Sequence, residues 1–146
     1  MKNLQGTSIR GGQRHERIFD LLETLAVDVE TVTRSKHACA IVYGNKILSV
    51  GTNRGITHPI QKKYASHETA IWVHAEIDAI AKATRRYGPE LLEKSSLYVL
   101  RLRYENSHSR KQVRGQSKPC VGCQGAIDAF RIKKVFYTTS CGFECF

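Results

Sequence analysis

The stretch HAEIDAI, residues 74–80, places a histidine and a carboxylate two positions apart where a helix is predicted to begin. This helix is predicted from about Ile71 to Tyr87, and a Gly-Pro pair ends it. On an ideal helix, residues two apart point about 200° away from each other, because one turn takes about 3.6 residues. We therefore expect His74 and Glu76 in the first turn, where the geometry is looser and both side chains can face one place.

A second stretch, KPCVGCQGAIDAF, holds two cysteines that can bind a metal together with His74. Cys120 and Cys123 lie three positions apart, and Pro119 stands where a helix would open. Residues at i and i+3 share one helix face. The partial positive charge of a helix N-terminus also favours thiolate, which is the form that binds zinc. One imidazole and two thiolates leave a tetrahedral position open, which is typical of a catalytic zinc site rather than a structural one.

Glu76 has a chemical role beside such a metal. A catalytic zinc ion lowers the pKa of its water to about 7, so that hydroxide is available at neutral pH. When this hydroxide attacks an electrophilic carbon, the departing nitrogen must be protonated. A neighbouring carboxylate can take the proton of the water and pass it to the leaving group, and such proton transfer contributes about 10²–10⁴-fold.

The paired motif, His74-Ala75-Glu76 followed by Pro119-Cys120-Val121-Gly122-Cys123, resembles the zinc-dependent cytidine and deoxycytidylate deaminase superfamily. The resemblance covers about residues 16–140. It implies Zn²⁺ as cofactor, with His74, Cys120 and Cys123 as ligands and Glu76 as proton shuttle. It also implies that Ala75 offers its backbone N–H to the base, that Asn53 contacts base or sugar, and that the protein forms a homo-oligomer.

The pattern of apolar residues predicts the element order α β β α β α β. An amphipathic helix is predicted from about Glu16 to Glu30, and a β-hairpin follows over residues 37–53, around Gly44-Asn45. Residues 54–70 and 105–118 are predicted as long polar loops. The predicted fold class is α/β: a three-layer α/β/α cytidine deaminase-like domain over residues 16–146, with a mixed sheet that is parallel in its second half. Residues 1–15 are predicted to form a flexible arm.

The charge of the chain favours an anionic partner. Its 146 residues include 23 Lys and Arg and 13 Asp and Glu, so the formal net charge is +10. A nucleotide phosphate and a nucleic acid both fit this charge, and a solvated basic surface is the alternative. The candidates for binding a phosphate follow the third predicted strand or lie in it: Arg101, Arg103, Arg110, Lys111 and Arg114.

Neither a membrane partner nor a secretory leader is expected. No apolar run approaches the roughly 20 residues of a membrane span, and the first residues lack an apolar signal region. We therefore expect a cytoplasmic protein, in which the five cysteines would serve a metal or catalysis rather than disulfides. Cys141 and Cys145 are interpreted as unliganded thiols of the tail, with a second metal site as the alternative.

Together, the residues and the resemblance predict hydrolytic deamination of a cytosine base in a free nucleotide, dCMP to dUMP. Zinc hydroxide would attack C4 while Glu76 moves the protons. The segment THPIQKKY is closest to what is expected of phage-type deoxycytidylate deaminases. One alternative is a deaminase that acts on a cytosine or adenine in RNA or single-stranded DNA. An alternative of another class is a non-catalytic zinc-stabilised binding module, which would close its metal site with Cys141 or Cys145.

Overall fold

The protein alternates helices with the strands of one sheet. The computed structural model describes residues 2–29, 35–65 and 72–146. Within them the elements, in chain order, are α1 (Lys2–Val27), β1 (Lys36–Tyr43), β2 (Lys46–Thr52), α2 (Pro59–Tyr64), α3 (Ala75–Tyr87), a 3₁₀ helix (Pro89–Lys94), β3 (Ser96–Tyr104), β4 (Gln112–Gly115), α4 (Val121–Ala129), β5 (Lys134–Thr138) and β6 (Phe143–Cys145).

The six strands of the described residues form one mixed sheet, with the order β2-β1-β3-β5-β6 and with β4 paired to β3 beyond the end of β5. The pairing of β3 with β5 is parallel, and the other pairs are antiparallel. The predicted hairpin is confirmed: β1 pairs with β2, and Gly44 turns the chain with a φ of 58° that favours glycine. The predicted mixed sheet is confirmed. The parallel pairing predicted for its second half is found between β3 and β5, whereas β4 and β6, which were not predicted, pair antiparallel.

Two apolar clusters cover the two faces of the sheet. Side chains of β3 alternate between them, because successive residues of a strand point to opposite faces. Leu97 and Val99 pack with α3, α4 and the 3₁₀ helix, whereas Tyr98 and Leu100 pack with the α1 residues Phe19, Leu22 and Ala26. The sheet thus lies between two helical layers, and the predicted three-layer α/β/α fold is confirmed.

Helix α3 lies directly against β2, and Gly51 makes this close approach possible. A Cβ atom at residue 51 would overlap the backbone nitrogen of Ala79 and would lie 2.5 Å from the carbonyl oxygen of Ala75. The hydroxyl of Ser49 donates a hydrogen bond of 2.7 Å to the carbonyl oxygen of Ala79. Because the contact involves the first turns of α3, it fixes the position of the HAE stretch relative to the sheet.

Several predicted boundaries were wrong. Helix α1 begins at Lys2 rather than near Glu16 and ends at Val27, although the mobility predicted for residues 1–15 stays a prediction. The first of the two predicted loops, residues 54–70, contains helix α2, and its residues 66–70 lie outside the described part of the chain. Helix α3 begins at Ala75, because the backbone of His74 is extended, with a ψ of 155°; Ile71 also lies outside the described residues.

Candidate active site

His74 is the N-cap residue of α3, and a short helix that the sequence did not predict holds it in place. The backbone N–H of His74 donates a hydrogen bond of 3.0 Å to Oε1 of Gln61. Gln61 lies in α2 and is buried. On the helix side, the N–H of Asp78 donates to the carbonyl oxygen of His74 at 3.0 Å. The backbone of His74 is therefore fixed from two directions, and its ring projects from the start of α3.

The two cysteines lie at the start of α4, as their spacing predicted. Cys120 is the N-cap residue, and its sulfur accepts a hydrogen bond from the backbone N–H of Cys123 at 3.5 Å. Cys123 is buried in the first turn, whereas Cys120 is exposed. Gln124 helps to fix the residues that precede α4, because its Nε2 donates a hydrogen bond to the carbonyl oxygen of Pro119 at 2.8 Å.

The structure brings His74 and the two cysteines together with distances that fit a metal ion. Nδ1 of His74 lies 3.6 Å from Sγ of Cys120 and 3.3 Å from Sγ of Cys123, and all three ligand atoms lie within 4.8 Å of one another. In tetrahedral zinc sites the Zn–S and Zn–N bonds of about 2.3 and 2.0–2.1 Å place such ligand atoms about 3.6 Å apart. The donor set and its spacing therefore fit zinc.

Cys141 and Cys145 lie away from this group. Both are exposed, Cys145 in β6 and Cys141 in the turn that precedes it. In the part of the chain that the structure describes, the group of potential metal ligands at the site consists of His74, Cys120 and Cys123. A closed four-ligand site that includes a tail thiol has no support in this geometry.

The protonation of the three ligand side chains is coupled. Hydrogen bonds from Cys123 and His74 lower the pKa of the Cys120 thiol to about 3. The hydrogen bond with Cys120, followed by burial, raises the pKa of Cys123. The hydrogen bond with Cys120 also raises the pKa of His74. The Cys120 sulfur is thus the group of the three that ionises most readily, and a metal cation bound among them would displace protons from the ligands.

Glu76 lies in the first turn of α3 and is buried, with 5% of its surface exposed. Burial raises the pKa of its carboxyl group, although the neighbouring His74 opposes this shift. A carboxyl group with a raised pKa exchanges protons more readily near neutral pH, which suits a general acid and base. The structure thus brings Glu76 to the candidate metal ligands, as the sequence predicted.

A pocket of about 380 Å³ opens beside these groups. His74, Glu76 and Cys120 line it, together with Asn53 and Ala75. Pockets for small ligands typically range from about 300 to 1,000 Å³. The volume is sufficient for a small ligand, and both residues predicted to contact substrate lie in the wall.

The side-chain amide of Asn53 bonds to the protein backbone. Its Oδ1 accepts from the N–H of His37 at 2.8 Å, and its Nδ2 donates to the carbonyl oxygen of Ser35 at 3.1 Å. These bonds tie the start of β1 to the end of β2. The direct contact of Asn53 with substrate therefore stays a prediction.

The basic residues proposed from the sequence as phosphate ligands do not line the pocket. Arg114 instead bonds to three carboxylates of α1, those of Glu16, Asp20 and Glu23. Arg101 donates to the hydroxyl of Ser35 at 2.8 Å.

The cations of the pocket wall are Arg54 and Lys118, whose function the sequence did not indicate. Nη2 of Arg54 lies 2.9 Å from Oδ1 of the buried Asp78. Oδ2 of the same carboxylate lies 3.0 Å from Nζ of Lys82 and accepts from the backbone N–H of Thr52 at 3.1 Å. One carboxylate shared between two cations leaves the cluster with a net positive charge.

The geometry agrees with a comparison against protein families. Residues 13–139 match the family described as the cytidine and deoxycytidylate deaminase zinc-binding region. The chain belongs to this family. The deaminase family binds zinc, which is the metal that the three ligand atoms fit, and its reaction is hydrolysis of a carbon–nitrogen bond.

Two solved structures extend the comparison. A cytidine deaminase from Mycobacterium leprae is 17% identical and aligns with a TM-score of 0.50 over 87% of this chain and 92% of its own, and this likeness concerns the fold alone. A guanine deaminase from Bacillus subtilis is 27% identical over 70% of this chain, with a TM-score of 0.43. The chain described here spans about half (49%) of the length of that second protein. No curated protein matches the chain.

Among the described residues, no helix combines the length and the apolar character that crossing a membrane requires.

Proposed function

We propose that this deaminase hydrolyses the exocyclic amino group of a cytosine base in a free nucleotide, with dCMP as substrate and dUMP as product. The observation that carries the proposal is the convergence of His74, Cys120 and Cys123 beside the buried Glu76, at the wall of one pocket. We also propose that, within the family, this chain is related to the phage-type deoxycytidylate deaminases, as the THPIQKKY segment suggested.

Each residue of the site would have a separate role in this reaction. His74, Cys120 and Cys123 would hold Zn²⁺, which supplies a nucleophile at neutral pH by lowering the pKa of water to about 7. The carboxylate of Glu76 takes a proton from the attacking water and delivers it to the departing nitrogen. Overall, the oxygen of water bonds to C4, one of its protons ends on N3 of the base and the other on the departing nitrogen, the bond between C4 and the exocyclic nitrogen breaks, and ammonia leaves. The backbone N–H of Ala75 would orient the base.

Charge at the pocket wall supports a nucleotide rather than a nucleoside. Arg54 and Lys118 line the pocket, whereas its one carboxylate among the described lining residues, Glu76, is buried close to the metal ligands. A guanidinium can bind a phosphate through two parallel hydrogen bonds. We therefore propose that these two cations, rather than the Arg101–Arg114 segment, accept the 5′-phosphate.

A second candidate is a deaminase acting on single-stranded nucleic acid, and Trp72 favours it. Its side chain lines the pocket and is 45% exposed. Exposed aromatic rings stack on unpaired bases, and the net charge of +10 suits a polyanion.

The cytoplasmic location and the homo-oligomer expected from the sequence also stay predictions.

The test is ammonia release by the zinc-loaded protein. The panel comprises cytidine, deoxycytidine, their 5′-monophosphates, the corresponding adenine and guanine compounds, and short RNA and DNA oligonucleotides. We expect the highest kcat/KM with dCMP and a lower value with deoxycytidine. Arg54→Gln should remove most of this difference, whereas Lys62→Gln, in a basic residue that does not line the pocket, should leave it intact.

The alternative outcomes are distinct. Turnover of an oligonucleotide at low salt, with a rate that declines steeply as salt is added, would favour the nucleic-acid deaminase. Zinc binding without turnover of any member of the panel would contradict deamination and would favour the binding module.

A further inference from the structure

The imidazole of His37 has no hydrogen-bond partner among the described residues, although it lines the pocket. His37 is the second residue of β1. Its backbone is fixed, because its N–H donates to Oδ1 of Asn53 at 2.8 Å and its carbonyl oxygen accepts from the N–H of Asn53 at 3.4 Å. The ring is partly buried, and pocket space adjoins it. A polar ring held in this way is placed to meet a ligand.

Other polar side chains of the pocket already bond to the protein. The hydroxyl of Ser117 donates to the carbonyl oxygen of Val99 at 2.8 Å. The amide of Asn53 bonds to backbone atoms of β1 and of the residue before it, and Arg54 bonds to Asp78. These groups form the wall of the pocket, but their hydrogen bonds limit how far Ser117 and Asn53 can turn toward a base, and the charge of Arg54 suits a phosphate rather than a base. Within residues 2–29, 35–65 and 72–146, the ring of His37 has no such bond to break.

The ring of His37 can both donate and accept. Burial, and then the charge of Arg101, lowers its pKa to about 4. At neutral pH one ring nitrogen therefore carries a proton and the other has a free lone pair. The polar edge of a nucleobase offers donors and acceptors to such a ring. His37 lies outside the group of metal ligands at the site, so its nitrogens are available for this contact.

We propose that His37 is a specificity-determining residue that hydrogen-bonds the polar edge of the base, and that Asn53 is a positioning residue that acts through His37. The proposal rests on the proposed function for the identity of the ligand as a nucleobase. It also gives Asn53 a different role from the direct contact that the sequence predicted: its amide fixes the backbone from which the imidazole projects.

The test compares His37→Leu, which removes the hydrogen bonds, with His37→Asn, which keeps a donor and an acceptor. For each zinc-loaded variant, kcat/KM is measured with the best substrate and with the next best base carrying the same sugar and phosphate. We expect His37→Leu to reduce the ratio of the two values about tenfold, as the loss of one hydrogen bond would, and His37→Asn to restore part of it. His108→Leu, in an exposed loop, should leave the ratio unchanged, and zinc content serves as the folding control.

The role of Asn53 is tested by a double-mutant cycle. Asn53→Ala should reduce the ratio in the wild-type background and should leave it unchanged in the His37→Leu background. A further reduction in that background would mean that Asn53 contacts the base itself. An equal loss of kcat/KM for both bases in His37→Leu, or no loss at all, would overturn the role of His37.

Failure of the proposed function would be seen separately, as absence of turnover in the wild-type protein. In that case the dissociation constants of CMP and AMP replace kcat/KM. If His37→Leu shifts the ratio of these two constants toward one, base recognition by His37 is still supported. An unchanged ratio, or no binding of either nucleotide, would overturn it.

Discussion

At the scale of single residues, the carboxyl group of Glu76 combines burial with a place beside the candidate metal ligands. Glutamine has nearly the same shape but cannot take up or release a proton. We expect Glu76→Gln to lower the rate of ammonia release by at least about 10²–10⁴-fold, the usual contribution of positioned proton transfer. The variant should still bind one zinc ion per chain, because Glu76 is outside the ligand group. Turnover and zinc content measured on the same sample check both expectations.

Glu105→Gln is the matched control for this change. Glu105 is exposed and follows β3, away from the pocket, so its variant should keep both activity and zinc. Full activity in Glu76→Gln would contradict the proton shuttle. Loss of zinc in the same variant would instead mean that the carboxylate supports the metal.

The sequence indicated some site residues but not others, for a physical reason. His74, Glu76 and the two cysteines stand in two short motifs, and their spacing at helix starts already implies one metal. Arg54 and His37 carry no such spacing. Their positions in the pocket depend on the pairing of β1 with β3, which places His37 opposite Arg101, and on the bond between Arg54 and Asp78, which are contacts between distant parts of the chain.

At the scale of elements, long periodic segments were predictable and short ones were not. The first hairpin, β3 and the helices that carry the motifs each have an apolar pattern of their own. The four residues of β4 and the three of β6 are strands because β3 and β5 lie beside them. Their pairing partners are close in sequence, Tyr104 for Gln112 and Thr138 for Phe143, but strands this short show no alternation of apolar and polar residues by which a sequence pattern could reveal them. The pattern for α1 was missed before Glu16, because that part is rich in glycine and polar residues.

The contact between α3 and β2 leads to a prediction about Gly51. A methyl group there would collide with the backbone of α3 at Ala75 and Ala79, and backbone cannot rotate aside as a side chain does. We expect Gly51→Ala to lower the free energy of unfolding by about 3 kcal/mol, at the upper end of overpacking effects. We also expect weaker zinc binding, because the helix that carries His74 must shift. Urea unfolding and zinc titration provide the measurements.

Gly12→Ala is the control for the Gly51 substitution, since the same methyl group is added where nothing lies within 4 Å. Gly12 is in the interior of α1, where alanine is favoured over glycine by about 1 kcal/mol. That variant should therefore be more stable than the wild type. A Gly51→Ala protein as stable as wild type would contradict the close packing of α3 on β2.

The docking of α1 on the sheet should depend on pH through His15. Its Nδ1 lies 2.7 Å from the hydroxyl of Tyr98, and its ring stacks on Phe136 with centroids 4.2 Å apart. Burial, followed by the charges of Arg14 and Lys134, lowers the pKa of His15 below its ordinary value of 6.5. The folded state thus favours the neutral ring, so its contribution to stability is complete above pH 6.5 and is lost as the pH falls below that value.

The prediction for His15 is measured as the urea midpoint of the zinc-loaded protein at pH 7.5 and at pH 5.5. The decrease between the two should be smaller in His15→Phe, which keeps an aromatic ring in the cluster but cannot take up a proton. His108→Gln, in an exposed loop, should show the wild-type decrease. An equal decrease in His15→Phe would mean that other groups cause the pH dependence.

At the scale of the whole molecule, the metal centre joins two parts of the chain that the sheet positions separately. His74 precedes α3, and the cysteines begin α4; both helices pack on the same face of the sheet. A zinc ion bound to all three residues connects the helices in the folded protein, whereas the unfolded chain does not keep the ligands together. Ligand binding to the folded state alone raises its stability by about 2.7 kcal/mol when the free ligand is at 100 times its dissociation constant.

We therefore expect the thermal midpoint to rise with the concentration of free zinc and to fall when a chelator removes the metal. His74→Ala should abolish most of this dependence, because only two thiolates remain to hold the ion. Cys141→Ser should keep it, since Cys141 is exposed and lies outside the ligand group. The test is to measure the thermal midpoint of each variant by calorimetry over a series of buffered zinc concentrations. If Cys141→Ser or Cys145→Ser reduced the dependence as strongly as His74→Ala, the tail thiols would be ligands, and the open position that hydrolysis requires would be closed.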